Sequence, residues 1–225
     1  MLEARQIAGL FILPTAFVGV VCNWMVALII RKLPSMQNSF GRLTESQSIG
    51  DATHSSLFLF YYVPMCLFNI EILKTYSQYC GHMLLIAYDL STYSHLAISL
   101  NRFCAIYRPV QYDKIFSKRN TFIIITISWM TAILPTFYLY IYADCRFPYL
   151  ETFWAFVFTT TPICKTITLY ADFLKYNTIV CMIVIIDLIT VSKVRNFKHK
   201  VTGIVCQSHA KKRKSEINFL KQEIK

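Results

Sequence analysis

Apolar residues fall along this chain in long blocks, without the amphipathic alternation of a soluble domain, and the blocks predict its elements. A helix of about 20 apolar residues crosses the roughly 30 Å hydrocarbon core of a bilayer. The stretch Ile7 to Ile30 carries no charge and ends at Arg31-Lys32. It is longer than a signal-peptide core and reads as an uncleaved first span. Followed to the end, the pattern predicts five spans, at about 7–30, 43–69, 80–102, 121–143 and 168–192 of a single domain covering residues 1–225. The connections are short except for a luminal loop near 144–167 and a basic segment from 193 to 225. Asp172 and Lys175 interrupt the outer half of the fifth span. Three apart on one helical face, they are placed to neutralise each other. The run 154–163 is apolar but too short to span. Phe147, Tyr149, Trp154, Phe156 and Phe158 are spaced in twos around Tyr149-Leu150-Glu151-Thr152. That period predicts a small β-hairpin over the bundle mouth, with an irregular aromatic loop as the alternative. The fold class is an all-α integral membrane protein.

Composition agrees. Of 225 residues, 55% are hydrophobic and 16% charged, against roughly 25% charged in a soluble domain. A net charge of +11 would suggest a nucleic-acid partner in a soluble protein, but here the positions of the charges matter more than their sum. With the N-terminus outside, Arg31, Lys32 and Arg42, five residues from Arg102 to Arg119 and ten from Lys193 onward all face the cytoplasm. These are 18 of the 23 Lys and Arg, as the positive-inside rule requires. The Lys-Lys-Arg-Lys run at 211–214 then reads as a juxtamembrane contact to anionic lipid, and no nucleic acid is expected.

On this topology Cys22, Cys66 and Cys181 lie in the bilayer, and Cys104 and Cys206 face a reducing cytosol. Cys80, Cys145 and Cys164 remain on the oxidising side. Three cysteines allow one bridge and one leftover thiol. Cys80 opens the third span, so bonding it to the loop would pin the lid; Cys164 is the expected partner and Cys145 the alternative. No spacing resembles a metal site.

Charged groups inside a bilayer cost roughly 2.5–3.5 kcal/mol each on insertion scales, so each needs a reason. Ser48, Asp51 and Ser55 form a stripe on the second span, with Glu45 below and His54 beside; such a stripe must face the bundle interior. Asn23, four residues after Gly19, sits at a depth from which it could approach Asp51. Asp89 lies about 13 Å below Cys80 at 1.5 Å per residue, near the midplane. His95 and Arg102 share a face, and Asp187 lies in the inner half of the fifth span. For these acids the readings are hydrogen-bonded packing or a ligand or ion role, the latter for Asn23, Asp51 and Asp89 in particular. There is no Gly-rich phosphate loop, nucleophile elbow or HExxH motif, so neither an enzyme nor a cofactor is expected.

Cys80 opening a helix that Arg102 closes is similar to the third helix of rhodopsin-like seven-helix G-protein-coupled receptors. Asn23, Asp51 and Trp129 match marks of the first, second and fourth helices. More specifically, PSMQNSFGRL (34–43), SQ (46–47), HLAISLNRFCAIYRP (95–109), YDKIFS (112–117) and KRKSEINFLKQ (212–222) resemble nematode serpentine receptor class X, a family of chemoreceptors, in order and over nearly the whole chain. The resemblance implies a plasma-membrane receptor that takes a small molecule or peptide from outside and acts on a heterotrimeric G protein inside. Arg102, with Asn101 before it, would be the switch. The rhodopsin-like pattern has Asp or Glu where Asn101 stands; a neutral amide hydrogen-bonds a guanidinium but brings no charge, so no ionic restraint is expected from that position. The family also continues beyond INFLKQ into sixth and seventh helices, whereas this chain stops at Lys225. Five helices of an incomplete seven-helix bundle are therefore expected, unable to recruit a G protein alone and retained in the endoplasmic reticulum. A non-signalling fragment or dimer partner of full-length receptors is one alternative. A transporter or channel subunit with Asp51, Asp89 and Asp187 along a polar path is the alternative of another class.

Overall fold

The computed structural model describes residues 2–196; most of the expected basic segment, with Cys206 and the 212–222 motif, lies outside the described residues. The first span, α1 (Ala4–Lys32), starts at a capping box between Glu3 and Gln6 and carries Arg31 and Lys32 in its last turn, where the helix dipole favours cations. It buries little beyond Gly9, Ala16, Ala27 and Ile30.

The second span begins with α2 (Ser39–Leu57), whose Asn38 cap accepts the Gly41 N–H at 2.9 Å. It passes through a π-wound turn, Phe58–Tyr62, into α3 (Val63–Phe68). Pro64 explains the widening, because it has no N–H to close the α-helical bond to Phe60. The segment stops at Asn69 in the left-handed region, φ 55°, as helices commonly do. After α4 (Glu71–Thr75) comes the third span, α5 (Ser77–Tyr107), which runs through the centre and buries Cys80, Asp89, Ser94, Ser99 and Asn101 among others. A short α6 (Pro109–Ile115) leads to α7 (Lys118–Pro135), capped by Ser117, and a second π-wound segment, Thr136–Tyr142, completes the fourth span. The fifth span covers Pro162–Asn196. It starts as α8 (Pro162–Ile167), capped by Thr161, and is π-wound over Thr168–Leu174.

Among the described residues, three helices are long and apolar enough to cross a membrane by length and composition: Ala4–Lys32, Lys118–Tyr138 and Pro162–Asn196. The second and third spans are less apolar because they are the inner pair. α2 packs along both α1 and α5. Polar side chains such as Ser48, Ser94 and Ser99 are buried there, which is tolerable because helices, not lipid, surround them. Glycine permits the closest approach: a Cβ on Gly19 would strike the Ser55 hydroxyl.

Between the fourth and fifth spans, β1 (Tyr149–Leu150) and β2 (Ala155–Phe156) pair antiparallel, Tyr149 opposite Phe156. The period-two hairpin forms, and its ladder continues outward. Val157 N–H donates to Pro148 O and Thr159 N–H to Arg146 O, both at 3.0 Å. That zipper returns the chain to the loop's own base, where Cys145 and Cys164 form a disulfide with a Cα–Cα distance of 4.9 Å across 19 residues. The expected Cys80–Cys164 bond is therefore corrected: the bridge closes the loop on itself, and Cys80 is a free, buried thiol. The loop still docks on the third span, but by packing. Tyr149 N–H donates to Ser77 Oγ at 3.1 Å, the bridge rests on Leu85, and Gly81 lies so close to the Phe147 carbonyl that no side chain fits between.

Candidate functional site

At the hairpin end the spans enclose a cavity of about 600 Å³, a size typical of small-molecule sites. Its walls are His54, Phe58 and Tyr62 of the second span, Leu84, Leu85 and Tyr88 of the third, and Asp172 and Tyr176 of the fifth, with Ile12 of α1 at the side. The hairpin supplies the roof through Phe147, Trp154, Phe156 and Phe158. Phe58, Tyr62 and Asp172 all stand in π-wound turns, so two departures from α-helical winding aim side chains into this space; such turns recur at functional sites.

The roof is tied down. Trp154 sits at φ 48°, a strained conformation for a bulky residue that needs surrounding structure to hold it. The Tyr62 hydroxyl does so by donating to Trp154 O at 2.5 Å. At the hairpin tip Lys74 binds Glu151 and, at 2.9 Å, Glu71; those two carboxylates hold its ammonium pKa above the ordinary lysine value. Burial pushes the Tyr149 phenol up.

Below the cavity, Lys175 Nζ meets Asp89 Oδ1 at 2.6 Å, and the Tyr93 and Tyr176 hydroxyls face the same carboxylate. The expected pairing of Lys175 with Asp172 is thus replaced. Winding the turn wide over 168–174 takes Lys175 off the Asp172 face and across to the third span. At the other end of the bundle, Arg102 Nη2 donates to both carboxylate oxygens of Asp187, at 3.2 and 3.0 Å, and lies 3.4 Å from Ser99 Oγ. Asn101, one residue earlier, points elsewhere. Its amide donates to Ser39 Oγ at 3.2 Å and its oxygen accepts from Tyr112 OH at 3.2 Å, knitting the start of the second span to α6. Arg102 therefore has an ionic partner, Asp187. Nothing in the spacing of Asp187 along the sequence points to Arg102.

The remaining candidates separate. Asn23 donates to Gly19 O of its own helix at 2.9 Å, and among the described residues no hydrogen bond joins it to Asp51. Asp51 acts electrostatically on His54. His95 Nδ1 lies 3.1 Å from Gln47 Nε2, and Trp129 Nε1 donates to Ser46 Oγ at 3.1 Å, joining the fourth and second spans. Among the described residues no group of three His, Cys, Asp or Glu side chains could hold a metal.

Comparisons with known proteins point one way. The family described as serpentine type 7TM GPCR chemoreceptor Srx matches residues 13–225. Serpentine receptor class X 45 of Caenorhabditis elegans is 33% identical over 96% of this chain and 61% of its own length; class X-43 of the same organism is 25% identical over 97% and 64%. The chain thus spans about three-fifths of the length of these relatives. Melatonin receptor type 1C of Xenopus laevis is 26% identical over 55% of this chain and 30% of its own. Among solved structures, squid rhodopsin superposes with a TM-score of 0.74 over 88% of this chain and 54% of its own, at 20% identity, which is a likeness of fold.

Proposed function

We propose that this chain, which belongs to the Srx family of serpentine 7TM G-protein-coupled chemoreceptors, binds an extracellular ligand in the aromatic cavity and acts on a heterotrimeric G protein through Arg102. The membrane-receptor class follows from the family and the rhodopsin fold. The observation that supports the finer reading is that one pair of helices serves both ends. Tyr88 and Tyr176 of the third and fifth spans wall the cavity, and Arg102 and Asp187 of the same two spans meet at the opposite end. A ligand that shifts one helix against the other at the cavity moves the two halves of that ion pair.

In this reading the hairpin end faces outside at the plasma membrane and the Arg102 end faces the cytoplasm, the side on which 18 of the 23 basic residues then fall. Arg102 in its resting position is held by Asp187; released, it is the cation offered to the G protein. Asn101 is the scaffold that fixes the helix end beside it.

The test places this chain in a receptor extended to the full length of its class X relatives, with G-protein recruitment read in living cells. Recruitment that depends on an added ligand, and is abolished by Arg102→Ala at unchanged surface expression, is the expected result. Undiminished recruitment by Arg102→Ala would remove the switch role. Staining of a C-terminal tag in unpermeabilised cells would overturn the orientation.

A further inference from the structure

We propose that the cavity at the hairpin end selects a cationic ligand, an organic ammonium on an apolar body, and that Asp172 is the residue that receives its charge. This rests on the reading of that cavity as the ligand site and adds the chemical class of what it takes.

The charges around Lys175 are out of balance. Asp89 and Asp172 both act on Lys175, so two carboxylates face one ammonium. Lys175 is committed to Asp89 at 2.6 Å. Asp172 makes no hydrogen bond and no ion pair among the described residues; Lys175 and Asp89 reach it only through space. It nevertheless lines the cavity, and among the described residues no lysine or arginine does. A half-buried carboxylate inside a span with no cation in contact is costly, and a bound cation removes that cost.

The other walls suit the same guest. Phe158, Trp154, Tyr88 and Tyr176 turn the cavity aromatic, and aromatic faces attract ammonium groups within about 6 Å of the ring. The protein itself supplies the precedent, since the Lys175 ammonium lies 4.2 Å from the centre of the Tyr176 ring. Asp172 is four residues before Tyr176, so a ligand ammonium at Asp172 would meet the same aromatic surface that Lys175 already uses. An anionic ligand would meet Asp172 unscreened, and a neutral one would leave its charge unanswered.

The experiment uses the 225-residue chain in lipid nanodiscs and measures binding of three probes of one shape by saturation-transfer NMR: phenethylamine, its neutral N-acetyl form and 3-phenylpropionate. Phenethylamine is expected to bind at least about tenfold more tightly than either. Asp172→Asn should remove that preference while still binding the neutral probe, which also shows that the variant folds; Asp172→Glu should retain it. Equal binding of all three, or a preference that survives Asp172→Asn, would overturn the charge assignment and leave the cavity standing as a site. Binding of none of the three, or binding unaffected when Leu84→Trp fills the cavity, would overturn the ligand-site reading and this proposal with it.

Discussion

Among the described residues two ion pairs join the third span to the fifth, and they are built to different standards. At the hairpin end Asp89 and Lys175 are 5% and 25% exposed and meet at 2.6 Å, with two tyrosine hydroxyls turned to the same carboxylate. At the far end Arg102 and Asp187 are 45% and 32% exposed and meet through a single guanidinium nitrogen. The polarity is reversed as well: the third span supplies the acid in one and the base in the other. A desolvated pair resists breaking, because removing one partner strands the other. A half-exposed pair contributes little and is screened by salt. One pair of helices thus carries a buried ion pair at one end and a more exposed one at the other.

The largest expected effect comes from the buried pair. Asp89→Ala leaves the Lys175 ammonium without its carboxylate, at a cost on the order of 3 kcal/mol, toward the low end for buried pairs because Lys175 reaches solvent. Its measure is the thermal midpoint of the purified protein. The double variant Asp89→Leu with Lys175→Met should recover most of the loss, since two apolar groups replace two charges. A single variant as stable as wild type would show that the outer pair holds the helices no better than the inner one.

The hairpin that roofs the cavity adds to the same contrast. Cys145→Ser opens a loop of 19 residues and should cost about 2–3 kcal/mol, whereas Cys80→Ala, which breaks no bond and buries no hydroxyl, should cost about 1 kcal/mol. Non-reducing peptide mapping is expected to yield Cys145 joined to Cys164 with Cys80 free; a peptide containing Cys80 in a bridge would reverse the correction made above. Tyr62→Phe, which removes the donor to Trp154 O, should cost about 1 kcal/mol and loosen the roof, read as faster amide exchange across residues 149–156.

How far this was readable in advance depended on whether a feature is local. The apolar blocks, the period-two aromatic run and the class X motifs are each contained in a short stretch, and helix, hairpin and family follow from them. Lys175 shows where that stops. On an α-helix it shares a face with Asp172, and the sequence carries no mark that residues 168–174 wind wide and carry it to Asp89. Cys80 fails in the same way, because the zipper from Arg146 to Thr159 that brings Cys145 to Cys164 is a backbone pattern no side chain announces. For Asn101 and Arg102 half the answer was available. Adjacent helical residues point about 100° apart, 3.6 residues completing a turn, so they had to address different neighbours. That Arg102's neighbour would be Asp187, 85 residues later, required the fold.

The smallest expected change in stability, and the most informative for function, is Asp187→Asn. The variant keeps the side-chain shape and one acceptor but removes the charge, so the inner contact weakens by under about 1 kcal/mol, the range of exposed ion pairs. The thermal midpoint should hardly move. In the receptor of full family length, basal G-protein recruitment should rise, because Arg102 then spends more of its time unheld; Asn101→Ala should not mimic this, since Asn101 bonds Ser39 and Tyr112 and leaves Arg102 alone. Salt provides an independent check without mutation. Raising ionic strength should weaken the Arg102–Asp187 contact more than Asp89–Lys175, because the first pair is the more exposed of the two. Amide exchange near Arg102 that rises with salt in the wild type, and no longer responds in Asp187→Asn, is the expected signature. Basal recruitment unchanged by Asp187→Asn would mean that Arg102 is restrained by something other than its ion pair, and the inner contact would then be a crossing point of two helices and no latch.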